Sequence, residues 1–305
     1  MRIAVASGKG GTGKTTVAVN LALSLWRSRP LLPIQLLDCD VEEPNAAIFL
    51  KPKVRQSWPV SIPVPEVDRE KCDYCGRCAQ VCAFNAIAVA KEVVLVFDQL
   101  CHGCGGCARF CPRGAIKEVE RPIGVLEVGL VDQGAPVGSS KGGDPLELIQ
   151  GRLNPGEAMA VPAIRAVKQQ VKPDGVSILD APPGTSCPVI ETVRGADFCI
   201  LVTEPTPFGF NDLVLAVEML RRLAVPCGVV INRADLGDER VEHYCHEQDL
   251  PILMRIPWDQ ELARFYARGE AIVLHNRAWE SQFVALYEKV VKQGGKGERA
   301  GSHKR

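Results

Sequence analysis

The stretch Gly8-Lys9-Gly10-Gly11-Thr12-Gly13-Lys14-Thr15 constrains this chain more than any other. It fits G-x-x-x-x-G-K-S/T and sits where that pattern has meaning: an apolar run over 2–7 precedes it, and apolar positions at helical spacing over 15–27 follow it. Glycines let successive backbone N–H groups curl around an oxyanion, and the helix that opens after them adds the positive end of its dipole. In such a loop Lys14 is expected to reach the β- and γ-phosphates of a nucleotide and the Thr15 hydroxyl to bind Mg2+. Gly8, Lys9, Gly10, Gly11, Thr12, Gly13 and Thr16 are the remaining candidate phosphate-binding positions.

A strand feeding a helix through a tight loop belongs to a parallel sheet, and the rest of the chain alternates accordingly. Strands are expected at 34–38, 176–180, 198–202, 227–231 and 252–256, and helices near 157–171, 188–195, 209–224, 238–248 and 276–292. Residues 51–65 carry Pro52, Pro59, Pro63 and Pro65 and read as an extended linker, while glycine-rich 121–150 reads as an irregular return path. The expected organisation is a first ATPase part at 1–60, an inserted module at 61–120, a second ATPase part at 121–291 and a disordered tail at 292–305.

The inserted stretch holds eight of the thirteen cysteines. Cys72-x2-Cys75-x2-Cys78-x3-Cys82 and Cys101-x2-Cys104-x2-Cys107-x3-Cys111-Pro112 are two copies of one run, with Cys101 following Cys72 by 29 residues. This is the spacing of bacterial ferredoxins, in which the fourth cysteine of each run ligates the other cluster. The expected ligand sets are Cys72, Cys75, Cys78 and Cys111 for one [4Fe–4S] cluster, and Cys101, Cys104, Cys107 and Cys82 for the other. A four-thiolate zinc site is the alternative, but zinc sites generally separate two CxxC pairs widely, and three cysteines in a C-x2-C-x2-C row suit a cubane better. The first run ends Cys82-Ala83 where Cys-Pro is usual. Of the scattered cysteines, Cys39, Cys199 and Cys227 read as packing, and Cys245 with His243 and His246 as a helix face. Cys187 reads as a small residue at a helix start or a thiol facing a second subunit.

The second lysine of the loop, Lys9, is not required by the phosphate-binding pattern. The form K-G-G-x-G-K-T-T resembles the deviant Walker A of the MinD/ParA/nitrogenase-iron-protein ATPases, a class that also includes the Mrp-type cluster carriers. The resemblance implies an α/β fold, with a mostly parallel sheet P-loop NTPase core and here an inserted small α+β ferredoxin-like domain. It also implies ATP binding, slow Mg2+-dependent hydrolysis and a nucleotide-dependent homodimer in which Lys9 reaches the other subunit's nucleotide. By the same resemblance Asp38 assists Mg2+, Asp40 positions or activates the attacking water, and Asp180, at the end of an apolar strand, holds the Mg2+ shell through water. Asn232 matches the position that meets adenine, and Ile256-Pro257-Trp258-Asp259 the segment that closes over the base, which makes Pro257 a nucleotide-binding candidate.

Thirty-six basic and thirty-six acidic residues leave no net charge, which removes an electrostatic case for nucleic acid or an anionic membrane as partner. No apolar run approaches the roughly 20 residues of a span, and Met1 leads directly into a strand, so a cytoplasmic location is expected. Trp279, Phe283, Leu286, Tyr287 and Val290 form a stripe expected to face the core. The leading expectation is an ATP-driven electron-transfer protein serving a redox partner or metalloenzyme. The alternatives are a metallocluster assembly or delivery factor, a redox-sensing MinD/ParA-like regulator, and a ferredoxin on a degenerate ATPase scaffold.

Overall fold

The protein is seen here in a computed structural model that describes residues 1–132 and 144–301, with side chains to 294. In chain order, β1 (Arg2–Ala6), α1 (Lys14–Ser28), β2 (Ile34–Asp38), α2 (Ala46–Leu50) and β3 (Lys53–Val67) precede the cysteine module. The module holds α3 (Arg77–Val81), β4 (Ile87–Ala90), β5 (Val93–Val96) and α4 (Gly106–Arg109). Then come β6 (Ile116–Val131), β7 (Leu146–Leu153), α5 (Ala160–Lys168), β8 (Val176–Asp180), α6 (Cys187–Val193), β9 (Phe198–Thr203) and α7 (Pro207–Arg222). The chain continues through β10 (Cys227–Asn232), α8 (Arg240–Glu247), β11 (Ile252–Ile256), α9 (Gln260–Ala267) and α10 (Arg277–Gly301).

Among the described residues, nine strands form one sheet in the order β11-β10-β9-β1-β8-β2-β7-β6-β3. Pairing is parallel from β11 to β7 and antiparallel across β7-β6-β3. β1 is apolar beyond its first residue because both its faces are covered. Ile3 and Val5 enter a core shared with α1 and α10, and Ala4 and Ala6 enter the opposite core with α7. The expected stripe Trp279, Phe283, Leu286, Tyr287 and Val290 on α10 is buried. No helix among the described residues is long and apolar enough to cross a membrane.

Three expectations need correction. The proline-rich linker at 51–65 is a strand, β3, paired along its length with β6, so the expected boundaries at 60 and 120 fall inside strands. Its prolines are tolerated because β3 is the sheet edge, where N–H groups on the open side need no partner. Val60, Ile62 and Val64 alternate inward and are buried. The "irregular" 121–150 is largely β6 and β7, with 133–143 outside the described residues. There Gly124 serves close approach, since a Cβ would lie 2.4 Å from the Arg152 carbonyl oxygen. The expected disordered tail at 292–305 also differs: α10 runs on to Gly301, and 302–305 lie outside the described residues. The ribbon β3–β6 thus carries the module at its tip, between Val67 and Ile116.

Candidate functional site

The loop after β1 turns through two left-handed glycines, Gly11 at φ 77° and Gly13 at φ 94°, and α1 begins at Lys14. Both conformations are costly for residues with a Cβ. Together with α9 and the segments after β2 and β10, the loop walls an open cleft of about 470 Å3. Gly10, Gly11, Gly13, Lys14, Thr15 and Thr16 line it. Asp40, Asn232 and Pro257 line it as well. Trp258 and Tyr266, both half-exposed, stand among its walls.

Behind the cleft the sheet brings carboxylates together. β2 and β8 are neighbours whose register pairs Asp38 with Asp180. Asp38 is fully buried, and its oxygens accept the amides of Asp40 at 3.1 Å, Asn45 at 3.0 Å and Ala46 at 3.0 Å. Burial outweighs these donors and lifts its pKa to about 7. Asp180 is equally buried, and neither of its oxygens has a hydrogen-bond partner among the described residues. Burial and then the Asp38 charge push its pKa well above the carboxylate range, against a smaller pull from Thr15 and Lys14. Burial also raises Asp40 and lowers the buried Lys14, whose charge Asp180 and Asp40 support. A buried carboxylate with neither oxygen hydrogen-bonded, beside two further carboxylates that Lys14 only partly offsets, suits a bound cation.

Four candidates do more, or other, than expected. Gly8 packs against Asp212, where a Cβ would meet the carbonyl oxygen at 2.3 Å. Thr12 is buried and its carbonyl accepts the Asn232 side-chain amide at 2.8 Å. Asn232 Oδ1 accepts the Arg233 amide at 3.0 Å, so this residue braces the phosphate loop as well as lining the cleft. Lys9 points away from the cleft lining to Glu204, with Nζ 3.4 Å from Oε2. Glu204 is buried and holds Arg233 at 3.0 Å through its other oxygen. Sequence reasoning missed Glu204, yet it follows β9 as Asp180 ends β8, and carboxyl ends of parallel strands are where ligands bind.

The eight module cysteines fall into two cages. Cys72, Cys75, Cys78 and Cys111 line one small pocket. Cys82, Cys101, Cys104 and Cys107 line another. Each cage takes three thiols from one run and the fourth from the other. The duplication extends to backbone detail: Gly76 and Gly105, at φ 76° and 70°, precede α3 and α4. Ala86 and Ala115 donate amides to the Cys82 and Cys111 sulfurs, each at 3.3 Å. Among the described residues no three His, Cys, Asp or Glu side chains close on a single-ion site. In each cage the second cysteine of the run, Cys75 or Cys104, is exposed, whereas Cys78 and Cys101 are buried. Burial raises the Cys78, Cys101 and Cys107 thiols, and a bound cation reverses such a shift. Cys39, Cys199 and Cys245 are buried and Cys227 is partly so, while Cys187 is exposed at the start of α6.

Comparison with known proteins identifies the family and the fold. The profile of the CobQ/CobB/MinD/ParA nucleotide binding domain matches residues 3–272. An uncharacterized protein of Methanocaldococcus jannaschii is 30% identical over 292 residues, spanning 95% of this chain and 96% of that one. The iron–sulfur cluster carrier protein of Pyrococcus horikoshii is 27% identical over 311 residues, spanning 96% and 86%. Among solved structures, the septum site-determining protein MinD of Pyrococcus horikoshii, complexed with Mg-ADP, shares the fold with a TM-score of 0.56 at 18% identity. That match covers 97% of this chain and 98% of that one. The chain therefore belongs to the CobQ/CobB/MinD/ParA nucleotide-binding family, as a P-loop ATPase that carries a cysteine-rich module on an extension of its sheet.

Proposed function

We propose that this chain is a Mg2+-dependent ATPase whose nucleotide-driven dimer switch is coupled to electron transfer through two [4Fe–4S] clusters. The observation that carries this reading is the sorting of eight cysteines into two four-thiol cages on a ribbon continuous with the nucleotide-binding sheet. The loop amides from Gly10 to Thr16 cradle the phosphates, and Lys14 meets the β- and γ-phosphates. Thr15 and, through water, Asp180 hold Mg2+; the two unpartnered buried oxygens of Asp180 fit that role. When bound, the cation neutralises charge that develops on the transferred phosphoryl group. Asp40 orients the attacking water. Asp38 fixes the Asp40–Ala46 segment through the three amides it accepts. Asn232 and Pro257 border the base, and Lys9, released from Glu204, reaches the nucleotide of a second copy.

The clusters supply one-electron chemistry, and Cys72, Cys75, Cys78 and Cys111 hold one while Cys101, Cys104, Cys107 and Cys82 hold the other. The amides of Ala86 and Ala115 donate to ligand sulfur and raise the potential at that position. Exposed Cys75 and Cys104 leave each cage an open side toward a redox partner. The test is an anaerobic EPR redox titration of the reconstituted protein with and without a non-hydrolysable ATP analogue. Two cluster signals are expected, with a midpoint shift of about 59 mV for each tenfold change in nucleotide affinity between redox states. Clusters whose potentials ignore the nucleotide would overturn the coupling.

A second reading, cluster delivery, is favoured by the likeness to proteins named iron–sulfur cluster carriers. It requires a cluster to pass to an acceptor. Incubation with a cluster-free ferredoxin, in the presence of an iron chelator, should then leave the acceptor holding the iron. Retention of both clusters would eliminate delivery.

A further inference from the structure

The segment after Asp40 is wired to the ribbon. The Val41 carbonyl accepts the amide of Leu153, the last residue of β7, at 2.9 Å. The next residue, Asn154, donates its amide to the Ile123 carbonyl on β6 at 2.9 Å and its side-chain amide to the Pro122 carbonyl at 3.1 Å. Glu157 then takes Arg121 of β6 in an ion pair at 2.5 Å and accepts the Met159 amide at 3.0 Å, just before α5. This pair is largely buried, with side-chain exposures of 19% for Arg121 and 6% for Glu157.

On the ribbon, Arg121 lies opposite Ile62, and the neighbouring Pro63 abuts one cage only. A Cβ on Gly103 would stand 3.0 Å from the Pro63 carbonyl oxygen, and the Gly103 amide donates to the Cys101 sulfur. Pro63, Pro65 and Glu118 line the cage of Cys82, Cys101, Cys104 and Cys107. The other cage meets the ribbon at its far end, at Val67 and Ile116. A single buried apolar cluster contains Cys39 and Val41 beside the nucleotide cleft, Ile62 and Ile123 on the ribbon, and Cys101. Cys72, Cys75, Cys78 and Cys111 do not belong to it.

We infer that the environment of the Cys82–Cys101–Cys104–Cys107 cage follows occupancy of the nucleotide cleft, and that of the Cys72–Cys75–Cys78–Cys111 cage does not, with Arg121 and Glu157 as the positioning pair that links them. The inference rests on the reading above, that the cleft takes nucleotide and the cages take clusters. Close-packed interiors transmit displacement instead of absorbing it. A shift of Asp40 and Val41 toward bound phosphate therefore moves Leu153 and Asn154, and with them residues 121–123. Linkage makes the effect reciprocal, so the redox state of that cage alters nucleotide affinity by the same factor.

The test is amide hydrogen exchange on the reconstituted full chain with and without Mg-ADP. Slowing of several-fold is expected in peptides covering 101–104, 121–124 and 153–154, with 72–78 unchanged as an internal control. In the double variant Arg121→Met with Glu157→Gln, the effect at 101–104 should vanish. Mg-ADP affinity should stay within about twofold, and protection of the phosphate loop at 10–16 should persist. The pair is replaced together because removing one partner would leave a buried charge alone. Equal protection of both cages, or none at 101–104 while Mg-ADP binds and both clusters are present, overturns the inference. Absence of Mg-ADP binding or of clusters would instead overturn the reading beneath it. The wild-type comparison decides the difference between the cages even if the double variant does not fold, and an effect at 101–104 that persists in a folded double variant overturns the role of the pair.

Discussion

The Asp180 carboxylate has contradictory duties. It sits buried with neither oxygen hydrogen-bonded among the described residues, and Thr15 and Lys14 offset only part of the cost of ionising it, which a bound cation would offset further. The sign follows: a folded-state pKa above the unfolded one means that stability is lost as pH rises from the unfolded value of about 4 toward the folded one. Asp180→Asn should therefore stabilise the nucleotide-free fold by about 1–3 kcal/mol at pH 8, with the gain shrinking as pH falls and disappearing near pH 4, while Mg2+-ATPase activity is lost. Thermal melts at the two pH values check it; an equal gain at both would mean that the folded-state pKa is not raised. Glu204 poses the opposite case, a carboxylate beside the phosphate loop that holds Lys9 and Arg233. Glu204→Gln removes a negative charge near the phosphates and frees two positive ones. Calorimetry should show Mg-ADP binding strengthened by about threefold to tenfold, on the order of 1 kcal/mol at the effective dielectric of a partly solvated site.

Among the elements, the ribbon was the hardest to read from sequence and does the most. Its prolines and glycines resemble loop signals, but Pro59, Pro63 and Pro65 lie on an open edge and Gly124 permits a backbone contact. Gly124→Ala places a methyl group 2.4 Å from a carbonyl oxygen and should destabilise the protein by about 1–3 kcal/mol in denaturant titration. The module's crossed pairing has its own signature. Cys111→Ser removes a ligand from the cage otherwise built by the first run, so about half the iron should be lost and the surviving EPR signal should be that of the cage holding Cys101. Were the cages instead built from one run each, the surviving signal would belong to the Cys72 cage. The start of α9 was not legible either. Asp259 caps α9 by accepting the amides of Glu261 at 2.7 Å and Leu262 at 3.2 Å, an N-cap that no apolar periodicity announced.

At the scale of the molecule, the ATPase core and the module stand on different energetic footings. The core buries apolar faces on both sides of a nine-stranded sheet. Between Val67 and Ile116 only Cys78, Ala86, Ile87, Cys101 and Ala115 are buried hydrophobics, too few to hold that module without the clusters proposed for it. Stripping the clusters with a chelator should therefore open 68–115 to limited proteolysis while 1–67 and 116–301 stay assembled, because β3 and β6 belong to the main sheet. Cleavage confined to the ends of the chain would contradict this. By itself the sequence determined what backbone geometry encodes locally: the phosphate loop between a strand and a helix, the apolar parallel strands ending in Asp38 and Asp180, and two cysteine runs of equal spacing. Only the tertiary structure decided what depends on strand order and distant contact. Asn232 reaches Thr12 across 220 residues, Glu204 takes Lys9 from another strand's end, and β3 finds β6 beyond the whole module. Such contacts leave no periodicity in the sequence, because their partners are fixed by where the sheet places each strand and not by the residues that flank them.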